Sequence, residues 1–102
     1  MNFKDQWSVP VLFWDNDAMI DRLIESTGAA MVFLAKDWRW PDTEEYEFAA
    51  NECLFGVGGS VSHDDCRAAF LRAIERAGLE VFPEHTAIAV ARENEVRRTS
   101  RR

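Results

Sequence analysis

Two cysteines and a histidine are the side chains best suited to metal or thiol chemistry in this chain. Cys66 follows His63 by three positions, and Cys53 precedes both. Residues three apart share a helix face, so His63 and Cys66 would point the same way while Cys53 approaches from a neighbouring helix. That Cys-His-Cys set lacks a fourth zinc ligand unless Asp64 or His85 supplies it, and its spacing matches the usual zinc patterns loosely. The same pair suggests an activated thiolate, because a helix N-terminus lowers the pKa of a thiol in its first turns. Cys66 falls on the apolar face of its helix, however, and burial acts in the opposite direction. The plain reading is two reduced, mutually facing thiols that pack as small hydrophobes. No metal and no cofactor is expected, with Cys53, His63 and Cys66 as the alternative ligand set.

Three other constellations have simple explanations. Gly56-Val57-Gly58-Gly59 precedes a helix start, as phosphate loops do, but it lacks their lysine and follows a helix instead of a strand. It reads as a helix-hairpin turn. Asp42, Glu44, Glu45 and Glu47 crowd the start of a helix, where acids complement the dipole. Trp38 and Trp40 flank Arg39 at a helix end. Tryptophan and arginine are over-represented at interface hot spots, so this corner is the candidate binding site; alternatively one of the rings caps the core. No nucleophile, base and orienting group converge, so no catalytic residue is assigned and the chain is not read as an enzyme.

The element that would position the Cys/His set is the clearest in the sequence. Ser62 with Asp65 forms a capping box, and Cys66, Ala69, Phe70, Ala73, Ile74 and Ala77 recur at helical spacing up to Gly78. Arg67, Arg72, Glu75 and Arg76 fall on other faces. A preceding helix opens at Asp42 with Glu45, runs through Tyr46, Ala49, Ala50, Cys53, Leu54 and Val57, and ends in glycines. The short loop between the two predicts an antiparallel hairpin. Upstream, the apolar run 27–38 suits a largely buried helix closed by Trp40-Pro41.

At the N-terminus Ser8 to Trp14 reads as a strand, with Pro10 near its start or at an edge, and Asp15, Asn16 and Asp17 as turn residues. Phe3 and Trp7 would pack down on the domain. Residues 18–26 are ambiguous: Met19, Ile20, Leu23 and Ile24 have helical spacing, whereas the short turn suits a returning strand. Leu79 to Phe82 suits a short closing strand ended by Pro83. Beyond it lies a weakly alternating TAIAVA, then ARENEVRRTSRR, in which five arginines meet two glutamates. This end reads as a solvated tail, or as a basic arm with Ser100 as a phosphate acceptor. The expected organisation is a single compact domain over residues 1–84 and a partly disordered extension over 85–102.

The chain has 102 residues, 47% of them hydrophobic, enough for one core and too few for two ordinary domains. A net charge of −6 repels phosphate backbones and anionic membranes, so neither nucleic acid nor membrane is an expected partner. No apolar stretch reaches membrane-spanning length and no leader pattern opens the chain, so a cytoplasmic location is expected.

An early Pro10-Val11 strand, the Trp40-Pro41 step, Ala49 with Cys53, and Ser62 opening a helix with Arg67, Phe70 and Ala73 together resemble the bacterial Domain of Unknown Function 982 family. The likeness runs from about Val9 to Val81. It rests on packing positions and carries no catalytic residue. It implies a small α+β domain and tips residues 18–26 towards a second strand. The resulting expectation is an N-terminal β-hairpin packed with three helices, ββααα, with a short closing strand. In function the chain is expected to be a non-catalytic interaction or regulatory module, a homodimer or bound to a protein partner. The alternative is a small-ligand or metal-binding domain with its site near the hairpin turn.

Overall fold

The β-branched and aromatic run near the N-terminus forms β1 (Gln6–Asp15) in the computed structural model, which describes residues 6–99. Phe3 and Ser100 lie outside the described residues. A four-residue turn leads into β2 (Ile20–Ser26), which pairs antiparallel with β1 from Asp15↔Ile20 to Val11↔Ile24. The ambiguous segment is thus a strand from Ile20 onward. Pairing outweighs its helical spacing because β1 alone would leave its ladder groups without partners. Between Gln6 and Val11 the register slips. Pro10, which has no N–H to donate, sits in that irregular stretch. The Val9 carbonyl there accepts from Arg67 Nε at 2.6 Å.

Buried Asp15 builds the turn. Its Oδ1 accepts from the N–H groups of Asp17 at 2.9 Å and Ala18 at 2.8 Å, and its Oδ2 pairs with Arg22 Nε at 2.9 Å. Burial alone would raise its pKa. The hydrogen bonds from Ala18, Arg22 and Asp17 and the Arg22 charge outweigh that, holding the carboxyl below its ordinary value.

Ser26 caps α1 (Thr27–Val32), accepting from Ala29 N–H at 3.0 Å. The helix then widens into one π-helical turn, Phe33–Asp37, and the chain becomes extended at Trp38. The Leu34 carbonyl in the wide turn accepts from the Tyr46 hydroxyl at 2.9 Å. Next come α2 (Glu44–Val57) and α3 (His63–Arg76), packed together as the expected hairpin. The cap of α2 is Thr43 rather than Asp42: its hydroxyl accepts from Tyr46 N–H at 3.1 Å. Ser62 caps α3 as expected, through Asp65 N–H at 3.1 Å. Gly56 does not terminate α2 but lies inside it; the stop is at Gly59, whose φ of +91° favours glycine. Gly59 N–H bonds the Gly56 carbonyl, and Ser60 N–H bonds that of Phe55.

The expected closing strand is reduced to a single bridge, Phe13↔Val81, flanked by bonds from Trp14 N–H to Glu80 and from Phe82 N–H to Leu12. The segment read as an extension is a fourth helix, α4 (Glu84–Thr99). It starts where the Pro83 carbonyl accepts from the Thr86 and Ala87 N–H groups, and the alanine-rich TAIAVA then follows helix propensity. α4 packs on β1 and buries Ala87, so β1 is covered on both faces: Val11 and Phe13 join the main core, and Leu12 is buried by alternation on the other side. The fold is α+β, a β-hairpin with four helices. Among the described residues no helix is long and apolar enough to cross a membrane.

The depressed Asp15 pKa has a definite sign. Its stabilisation is complete above the unfolded carboxylate pKa of about 3.9 and is lost as pH falls through the folded value. Asp15→Asn should cost about 1–3 kcal/mol at pH 7, because the turn N–H groups lose their charged acceptor. Its melting temperature should then fall less than that of the parent protein below pH 4. Parallel acid limbs in the two thermal titrations would assign the acid sensitivity to other carboxylates.

Candidate functional site

The fully buried residues of α2 are all small: Ala49, Cys53 and Gly56. Their size lets α3 approach closely. A Cβ at position 56 would collide with the Cys66 sulfur and come within 3.1 Å of Thr27 Cγ2. Cys66 Sγ donates to the Glu52 carbonyl at 3.2 Å. Burial, with Cys66 and Glu52 close by, pushes the Cys53 thiol up to about 12; burial also raises Cys66, partly offset by a hydrogen bond with Thr27. Both thiols are free and buried, and at neutral pH both are protonated, so neither is a ready nucleophile.

His63 enters the same cluster. Its Nδ1 lies 2.8 Å from Thr27 Oγ1, which also accepts from Trp7 Nε1 at 3.0 Å. A polar chain therefore crosses from β1 through α1 to the first turn of α3, fixing the His63 ring. Cys53, His63 and Cys66 do not form a metal set: among the described residues no three His, Cys, Asp or Glu side chains are placed to hold an ion. The Gly56–Gly59 stretch forms the end of α2, with Glu44, Glu45 and Glu47 in its first turn.

The tryptophan corner is ordered by its own rings. Trp38 and Trp40 meet edge to face at 5.1 Å, Trp38 lies 4.7 Å from Tyr46, and both pack on Phe33, at 6.4 and 6.2 Å. Trp40 Nε1 donates to Asn16 Oδ1 at 3.0 Å. Each indole is half-buried, while Arg39 is exposed and reaches Asp17 at 4.0 Å. The corner thus caps the core and also presents aromatic edges and a guanidinium outward.

A second surface escapes the sequence reading. Leu54 and Val57, which the spacing runs along the helix with Ala49 and Cys53, are 57% and 49% exposed, and Phe48 and Phe55 are 50% and 53% exposed. Phe48 and Phe55 are two helical turns apart and share a face with Glu44 and Glu52. The signal was present: with Ala49, Cys53 and Gly56 as the inner stripe, both phenylalanines must fall outside it. Beside them Phe48, Glu44 and Glu45 of α2 and Ala69 and Arg72 of α3 line a shallow groove.

Two outcomes test this description. Gly56→Ala should destabilise by about 1–3 kcal/mol through overpacking against Cys66. The double variant Gly56→Ala/Cys66→Ala should lose less than the sum of the single changes, because the second opens room for the first. Strict additivity in denaturant midpoints would place the strain elsewhere. Trp38→Ala/Trp40→Ala should lower the melting temperature by more than 5 °C, roughly what the loss of a kcal/mol or more does to a domain of this size. An unchanged melting temperature would remove the pair from the core.

The family described as protein of unknown function (DUF982) matches residues 10–81, and the chain belongs to it. Comparison with curated proteins gives no match, and neither does comparison with solved structures.

Proposed function

We propose that this member of the DUF982 family is a small non-catalytic interaction module of the cytoplasm. It acts as a homodimer or with a protein partner, using the outer face of α2 and the Trp38/Arg39/Trp40 corner. One observation carries the reading: a single fourteen-residue helix leaves Phe48, Leu54, Phe55 and Val57 about half exposed. Scattered apolar residues are normal on a surface, but Phe48 and Phe55 lie two turns apart on one face of the helix, an exposed aromatic pair of the kind found at binding faces. Aromatic rings supply contact area at small entropic cost, which favours Phe48 and Phe55 as the anchors. The acids around them and the net charge of −6 make nucleic acid and anionic lipid poor partners.

Site-specific photocrosslinking in the native cell tests the reading. A benzophenone side chain at position 48 or 55 should give discrete adducts of defined mass, and one at Glu75, on the exposed face of α3, should not. Adduct patterns that are identical at all three positions would sink the proposal.

A further inference from the structure

The outer edge of β2 is open. Trp14 N–H and the Leu12 carbonyl are bonded to Glu80 and Phe82. Alternation along an antiparallel pair therefore turns the backbone groups of Val11, Phe13 and Asp15 towards β2, where they face Ile24, Arg22 and Ile20. The N–H and C=O groups of Asp21, Leu23 and Glu25 then point the other way, along the outer edge. Among the described residues no strand pairs there. Such an edge is a template for another strand unless a proline or a bulge spoils it, and β2 has no proline and keeps one register from Ile20 to Ile24.

A groove runs beside this edge. It is lined by every residue from Ile20 to Ile24 and, across from them, by Val32, Phe33 and Asp37 of α1 and the π-helical turn. Ile20 and Val32 are exposed in it. Arg22 lies over the Phe33 ring at 5.5 Å, so Ile20, Arg22 and Ile24 share the face towards the groove, and Asp21 and Glu25 share the opposite one. Arg22 is the one cation among the lining residues, and Asp15 holds it at 2.9 Å. Asp21, Glu25 and Asp37 make no ion pair among the described residues.

A second copy of β2 fits this edge poorly. A two-fold axis keeps every residue on its own face, so an antiparallel pair must be centred on one residue. Centring on Leu23 sets Asp21 opposite Glu25 twice, centring on Arg22 sets the two arginines together, and centring on Ile24 runs Asp21 into Thr27 of α1. Like charges directly opposed destabilise a strand pair.

We propose that β2 accepts along this edge an extended segment of another protein in which apolar and basic residues alternate. The backbone of that segment bonds to Asp21, Leu23 and Glu25. Its apolar side chains enter the groove beside Ile20 and Val32, and its basic ones lie on the side of Asp21 and Glu25. This surface is separate from the outer face of α2 and from the tryptophan corner, so it stands or falls independently of them.

Calorimetric titration and amide hydrogen exchange test it on the full-length protein, with a short end-capped peptide of alternating valine and lysine as the probe. The peptide should bind, slowing exchange at Asp21, Leu23 and Glu25 but not at Arg22, which is already bonded to β1. Of two peptides methylated on alternate amides, the one whose methyl groups face β2 should lose binding and the other should keep it. Replacing the lysines by glutamate should weaken binding by about tenfold or more, as two lost charge pairs imply. Asp21→Lys/Glu25→Lys, checked for unchanged circular dichroism, should reverse that preference. No binding of the lysine peptide, two methylated peptides that bind alike or fail alike, or a lysine preference that survives the reversal would each overturn the proposal. Slowed exchange of the same three amides on raising the protein concentration alone would also overturn it, by assigning the edge to a second copy.

Discussion

A two-stranded sheet is marginal by itself, and this one is held by three buried rings. Phe13 on β1 meets Phe33 at 5.4 Å and Phe70 at 6.1 Å, and Phe33 and Phe70 meet at 6.2 Å. One ring comes from the sheet, one from the π-helical turn after α1 and one from α3, so the triangle joins three elements that no backbone ladder connects. Trp7 extends it, 5.9 Å from Phe70. The dependence runs outward from there. The wide turn that carries Phe33 is secured by Tyr46 of α2, and the same ring supports Trp38 and Trp40, so the outer corner inherits its order from the core.

The two faces of α2 follow from one packing constraint. With Ala49, Cys53 and Gly56 inside, the helix comes close to α3 and α1 but buries little of its own volume. Apart from Tyr46, which packs on the core, its large apolar side chains are left for the outside. A helix whose bulky residues faced inward would stand further off and break the contact between Gly56 and Cys66. The close approach and the exposed phenylalanines are thus two consequences of the same residue order.

Legibility varied with how local the deciding physics was. The face of α3 could be assigned residue by residue, because Ser62, Gly78 and the spacing between them agree with the tertiary packing. Residues 20–26 could not, because their helical spacing conflicts with a pairing that depends on β1. Asp42 and Thr43 are adjacent plausible caps, and only the backbone geometry chooses. The weak alternation of TAIAVA hides α4 in the sequence; its alanines favour a helix, and the second face of β1 gives that helix a surface to pack on. For the candidate site, the tryptophan corner was visible by residue type, whereas the α2 face required knowing how narrow the buried stripe is.

Arg67 shows how the least regular part of β1 is tolerated. Pro10 removes a ladder donor, and the register slips beside it, leaving the Val9 carbonyl outside the pairing. Arg67 Nε supplies the missing donor at 2.6 Å, and the same guanidinium reaches Glu84 at 3.5 Å. Glu84 opens α4, so one side chain on α3 completes the irregular strand and tethers the start of the helix that covers it. A charged donor suits both contacts, since a hydrogen bond from an ionised group contributes more than a neutral one where solvent is partly excluded. Arg67 lies off the apolar stripe of α3 because its work is at the edge of the core, where the sheet's irregular end meets α4.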